Sequence, residues 1–182
     1  NFDKNTTALF ISCVTIGGLI LQWPMGKLSD GKDRRKFMLG VAILLIIISI
    51  LLSILNSNIY FFLILAIIFG GLIALMYPLG VAYTNDYLKQ DELLSATSGL
   101  VIAFGIGAIL GPFFASFIIE FTNPSGLFIF FSAIGCLSSI IILWRMSRRD
   151  TLSVAEQSDY LVMPKTSPII NNLDPRGEEL EE

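Results

Sequence analysis

The chain alternates long apolar runs with short polar connections, and charges are confined to the connections. Five runs of roughly 20 predominantly apolar residues, the length that crosses a hydrocarbon core about 30 Å thick, cover residues 6–25, 37–55, 59–83, 93–119 and 127–144. Lipid offers no water to an open sheet edge, and these runs lack the ten-residue alternation of barrel strands, so each run predicts a transmembrane helix. The fold class expected is an all-α membrane protein.

The runs differ from one another. Between Val41 and Leu55, twelve of fifteen residues are Leu, Ile or Val, which suits a peripheral helix facing lipid over much of its surface. The fourth run repeats small residues every four positions at Gly99, Ala103, Gly107, Gly111 and Ala115, and the third does so at Gly70, Ala74, Pro78 and Ala82. Such stripes let helix backbones approach closely, whether at a static contact or a moving one. Gly107 and Gly111 are expected to meet another helix, with Pro112 as a bend, and Pro78 to weaken its own helix.

Composition supports the membrane assignment. The 182 residues are 54% apolar and only 15% charged, with a net charge of −3. No basic face exists for nucleic acid. Histidine is absent, so the commonest general base and metal ligand are both missing, and neither an enzyme nor a cofactor or metal site is expected. Cys13 and Cys136 lie inside apolar runs, where a thiol acts as a small packing residue.

Orientation follows from the bases. Lys27, Lys32, Arg34, Arg35, Lys36, Lys89, Arg145, Arg148 and Arg149 all fall on one side, and only Lys4 falls on the other, so the basic side is expected to be cytoplasmic. The turns Asn56 to Asn58 and Thr122 to Gly126 carry no base. A tail over 146–182, rich in Ser, Pro, Asn, Asp and Glu, is expected to be cytoplasmic and mostly disordered. The chain begins at Asn1 without a signal peptide, which reads as a fragment.

The densest polar signal is the loop Gly26-Lys-Leu-Ser-Asp-Gly-Lys-Asp-Arg-Arg-Lys36. One reading is a topology signal alone. The other rests on the spacing Gly26, Asp30, Arg34 and Arg35, which resembles the signature loop of the major facilitator superfamily, with departures at Gly31, where that family has Arg or Lys, and at Asp33, where it has Gly. The stretches Leu21 to Asp30, Tyr77 to Asp86, Gly105 to Pro112 and Thr166 to Arg176 look most like its YcaD-like bacterial branch. The resemblance implies a twelve-helix transporter of the bacterial inner (plasma) membrane, of which this chain supplies helices eight to twelve of the C-terminal six-helix bundle. The alternative register, helices two to six, expects an arginine in the third span, and Ile59 to Tyr83 holds no charge. The loop is then a gate, with Asp30, Arg34 and Arg35 latching against the missing N-terminal half.

Neutral polar groups are what remain to line a solute path, with Ser12, Thr15, Gln22, Tyr77, Thr97, Ser98 and Ser116 as the candidates and Gln22 and Tyr77 foremost among them. The spans hold no buried acid for proton coupling. The function expected is a secondary transporter half that moves a small solute by alternating access. The alternative is a structural or assembly subunit of a membrane complex.

Overall fold

A computed structural model describes residues 4–30, 32–55, 58–122 and 124–148. Expectations for Gly31, the turn residues Asn56, Ser57 and Asn123, Arg149 and the tail beyond it fall outside the described residues. The described residues form five helices, α1 (Lys4–Ser29), α2 (Arg34–Ile54), α3 (Ile59–Asn85), α4 (Gln90–Phe121) and α5 (Gly126–Arg148). All five are long and apolar enough to cross a membrane.

The helix ends run past the charge-free windows. α1 continues through Pro24 to Ser29, where the Ser29 hydroxyl donates to the Gly26 carbonyl at 2.6 Å, and α2 begins already at Arg34. The eleven-residue loop is therefore mostly helix, and the connection proper spans residues 30–33. Charged residues end a lipid-crossing window but need not end a helix, because the last turn can project into the headgroup layer. α5 likewise extends to Arg148, through the first three residues of the expected tail.

Local chemistry sets the starts. The Asp33 carboxylate accepts from the Arg35 N–H at 3.1 Å and caps α2. Asn58 does the same for α3, accepting from the N–H groups of Tyr60 and Phe61 at 3.0 and 3.4 Å. At the start of α4 the Glu92 carboxylate reaches back to the Lys89 N–H at 3.1 Å. Each bond satisfies a donor that has no partner within its own helix.

α3 is the centre of the bundle. Phe62, Leu65, Ala66, Phe69, Leu72, Leu75, Leu79, Val81 and Ala82 are all buried along it. It packs against α1 and α2, α5 packs on α2, and α4 touches α5 and α3 more lightly. An aromatic cluster ties three helices together. Phe10 of α1 lies 5.2 Å from Phe62 of α3, and Phe69 of α3 lies 6.0 Å from Phe128 and 5.1 Å from Phe131 of α5. α2 buries Val41, Ala42, Leu45, Ile48, Ser49 and Leu52 and turns Ile43, Leu44, Ile47 and Ile50 outward. It is thus covered on one face by α3 and α5 and open on the other.

The close backbone approach lies elsewhere than α4. A methyl group added at Gly107 or Gly111 would meet nothing within 4 Å, and Gly107 and Pro112 are exposed. Among the described residues a close backbone contact is made between α1 and α3. A methyl at Gly17 would come within 2.6 Å of the Ile67 carbonyl carbon, and one at Gly70 equally close to that of Val14. Gly18 faces Ala74. Four-residue spacing marks a smooth helix face without saying which smooth face finds a partner, and α1 and α3 supply two that match. Pro78 is buried in that packing, and neither it nor Pro112 ends its helix.

Gly17→Ala should therefore destabilise the protein by about 1 to 3 kcal/mol, because the atoms in its way are backbone. Gly40→Ala, which meets nothing within 4 Å, should leave stability within about 0.5 kcal/mol of the parent. Thermal unfolding in detergent micelles measures both, and equal melting temperatures for the two variants would contradict the packing described.

Candidate functional site

The residues of the signature loop assemble at the end of the bundle where α1, α2 and α3 meet. Gly26 is buried in the last turn of α1. Arg34, the first residue of α2, is 2% exposed. Its Nη1 donates to both carboxylate oxygens of Asp86 at 2.9 and 3.0 Å, and its Nη2 donates to Asp30 at 3.1 Å. One guanidinium thus binds two carboxylates from two other elements. A charge this deep is tolerable only when paired and hydrogen-bonded, and arginine's rigid fork meets that condition better than lysine could.

Arg35 is bound within the connection itself. Its Nε donates to Asp33 at 3.2 Å, and the same carboxylate caps the helix. Asp33 stands where the resembled signature has glycine, and it does two jobs there, neutralising Arg35 and fixing the first turn of α2. The departure therefore supplies a helix cap and a charge partner at that position. Beyond it, Tyr83 and Tyr87 stack edge to face at 5.1 Å, and Arg145 of α5 sits 5.4 Å from the Tyr83 ring centre, drawing the end of α5 to the end of α3.

Asp86 is the member of this network that sequence reasoning missed. It lies 52 positions from Arg34, just past the apolar run of α3. The available signal was an acid at a span end on the same side as the basic loop, and that signal names no partner.

The neutral candidates do not form one cluster. Ser12, Thr15 and Gln22 share a face of α1, being three and seven residues apart. Ser12 and Thr15 are exposed and donate to the carbonyls of Ala8 and Ile11 at 2.9 Å, so their protons are already used within the helix. Gln22 is half-buried. Tyr77 lies on α3, half-buried, its ring edge to face with Phe104 of α4 at 5.3 Å. Among the described residues no group of His, Cys, Asp and Glu could hold a metal ion.

Five apolar helices closed at one end by a buried arginine and its two carboxylates define a multi-pass membrane protein. The family model of the Major Facilitator Superfamily matches residues 1–171, and the chain belongs to that superfamily, whose members are transporters and not enzymes. It is 25% identical over 153 residues to the uncharacterized MFS-type transporter YcaD of Escherichia fergusonii, covering 84% of this chain and 39% of that protein. To an uncharacterized MFS-type transporter of Enterobacter sp. (strain 638) it is 23% identical over 142 residues, 78% of this chain and 36% of the relative. To YcaD of Salmonella paratyphi B it is 23% identical over 134 residues, 74% and 34% of the two chains. The chain therefore spans under two fifths of the length of these relatives. No solved structure matches it.

The network ranks its own acids. The Asp86 side chain is 3% exposed and meets Arg34 with both oxygens, whereas the Asp30 side chain is 28% exposed and lies 3.1 Å from Arg34. Asp86→Asn should destabilise by roughly 3 kcal/mol or more, since it breaks a buried pair, and Asp30→Asn by about 1.5 kcal/mol. Denaturant unfolding in micelles would check the order, and an Asp30 variant as damaging as the Asp86 variant would contradict it.

Proposed function

We propose that the chain is the C-terminal half, helices eight to twelve, of a secondary transporter that moves a small solute by alternating access across a bacterial inner membrane. The observation that carries this reading is the uneven burial of the helices. α3 is buried along much of its length, whereas α1 and α4 are largely open. Two open helices in an otherwise packed bundle are what is left when one wall is meant to face other helices, and family membership supplies those helices in the N-terminal half. The absence of charge from Ile59 to Tyr83 favours helix ten over helix four for α3.

In this reading the solute path runs along the open side, past Gln22 and the exposed stripe of Gly99, Ala103 and Gly107 on α4. The midplane site lies between halves, so five helices offer one wall of it. Lys4 is outside, and Lys32, Lys89 and the tail are cytoplasmic. Asp30 acts as the latch. It is the half-open acid of the network, able to engage the opposite half while Asp86 keeps Arg34 in place. Asp30→Asn in the complete transporter shifts the population toward the inward-open state, because one charge-assisted contact is worth about 1.5 to 3 kcal/mol against a gap of a few kcal/mol.

Uptake into vesicles with and without a proton gradient tests the assignment. Saturable uptake of a small solute by the complete transporter, and none by residues 1–182 alone, is expected. Saturable uptake by the 182-residue chain would overturn the half-transporter reading. For orientation, a cysteine at Tyr60 on a background lacking Cys13 and Cys136 should react with a membrane-impermeant reagent in intact cells, and one at Lys32 should not.

A further inference from the structure

The polar groups of the spans divide into those already used and those left over. The hydroxyls of Ser12, Thr15, Thr97, Ser98 and Ser116 each donate to a carbonyl three or four residues back in their own helix, at 2.8 or 2.9 Å. Among the described residues, the Gln22 amide and the Tyr77 hydroxyl make no hydrogen bond. Both side chains are half-buried, where an unmet polar group costs free energy that a hydrogen-bonding partner recovers.

The packing of α1 on α3 sets these two groups at one level. Val14 lies against Gly70 and Gly18 against Ala74, a step of four residues in both helices. The two helices run in the same direction, since Phe10 meets Phe62 near their starts and Asp30 and Asp86 meet Arg34 past their ends. One more step of four brings Gln22 to the level of Pro78, beside Tyr77. Proline has no N–H, so Pro78 leaves the Ala74 carbonyl without the donor that a helix would give it. The Tyr77 ring is held edge to face against Phe104 of α4, with ring centres 5.3 Å apart.

From this geometry we propose that Gln22, Tyr77 and the Ala74 carbonyl, with the Phe104 ring beside them, form a binding site for an uncharged solute that carries both hydrogen-bond donors and acceptors. The proposal rests on the reading of the chain as one half of a transporter, and it names the class of cargo. The amide and the phenol each donate and accept, whereas the carbonyl only accepts. Residues 6–25, 59–83 and 93–119 contain no Asp, Glu, Lys or Arg. A charged solute would therefore shed its hydration against this wall with no counter-charge to replace it. An uncharged one sheds only hydrogen bonds, which these groups replace one for one.

The test is uptake by vesicles containing the complete transporter, supplied with an equimolar mixture of small metabolites and read by mass spectrometry. The mixture holds equal numbers of uncharged, anionic and cationic members, and enrichment of uncharged members is expected. Gln22→Leu and Tyr77→Phe should each lower uptake of the enriched solute by about three- to tenfold, chiefly through a raised KM. Gly40→Ala on α2, where a methyl meets nothing within 4 Å, should leave it unchanged. Gln22→Glu keeps the side chain's shape and adds a negative charge, so it should weaken uptake of the uncharged solute and admit a cationic member. A purely structural role for Gln22 would not produce that exchange. Enrichment of anionic or cationic members by the unaltered transporter would overturn the proposal, as would unchanged uptake in both Gln22→Leu and Tyr77→Phe. Saturable uptake of no member at all would overturn the transporter reading and the site with it.

Discussion

A guanidinium cannot be left unpaired in a protein interior, and the burial of Arg34 places that constraint on three helices at once. Asp30 follows the end of α1, Arg34 opens α2 and Asp86 follows the end of α3. Pairing them fixes the relative height of three helices whose sides, in lipid, gain nothing from hydrophobic association. The rest of the packing follows from that registration. With the ends aligned, Gly17 and Gly70 bring the backbones of α1 and α3 together, and Phe10 reaches the aromatic cluster of α3 and α5.

The same constraint separates the jobs of neighbouring residues. Asp33 holds Arg35 and starts α2, Asp86 holds Arg34, and Asp30 shares Arg34 while remaining partly open. A network with one member at the surface can be rigid in its interior and still respond at its edge. The opposite condition holds for α4, which touches the bundle through Tyr77, Phe104 and part of α5 among the described residues.

Much of this was legible in the order of residues. Continuous apolar runs can only become helices in lipid, and the position of charges placed their ends to within four residues. The spacing of Gly26, Asp30 and Arg34 identified the loop that carries the network, because those residues are near in sequence as well as in space. Asp86 was not legible, since nothing in its surroundings names a partner 52 residues away. The small-residue stripes were half legible. The one on α3 is packed, whereas the one on α4 is open at Gly99, Ala103 and Gly107, because a smooth face needs a matching face and sequence spacing describes only one of the two.

The central claim is that Arg34 and Asp86 form one energetic unit that registers the helices. A double-mutant cycle with Arg34→Met and Asp86→Leu, followed by unfolding in micelles, addresses it directly. Each single change leaves a charge buried without its main partner, while the double change removes both. If the account is right, the double variant is destabilised by well under the sum of the singles, with a coupling of more than about 1 kcal/mol. Additive losses would contradict it and reduce the pair to two independent surface-end charges.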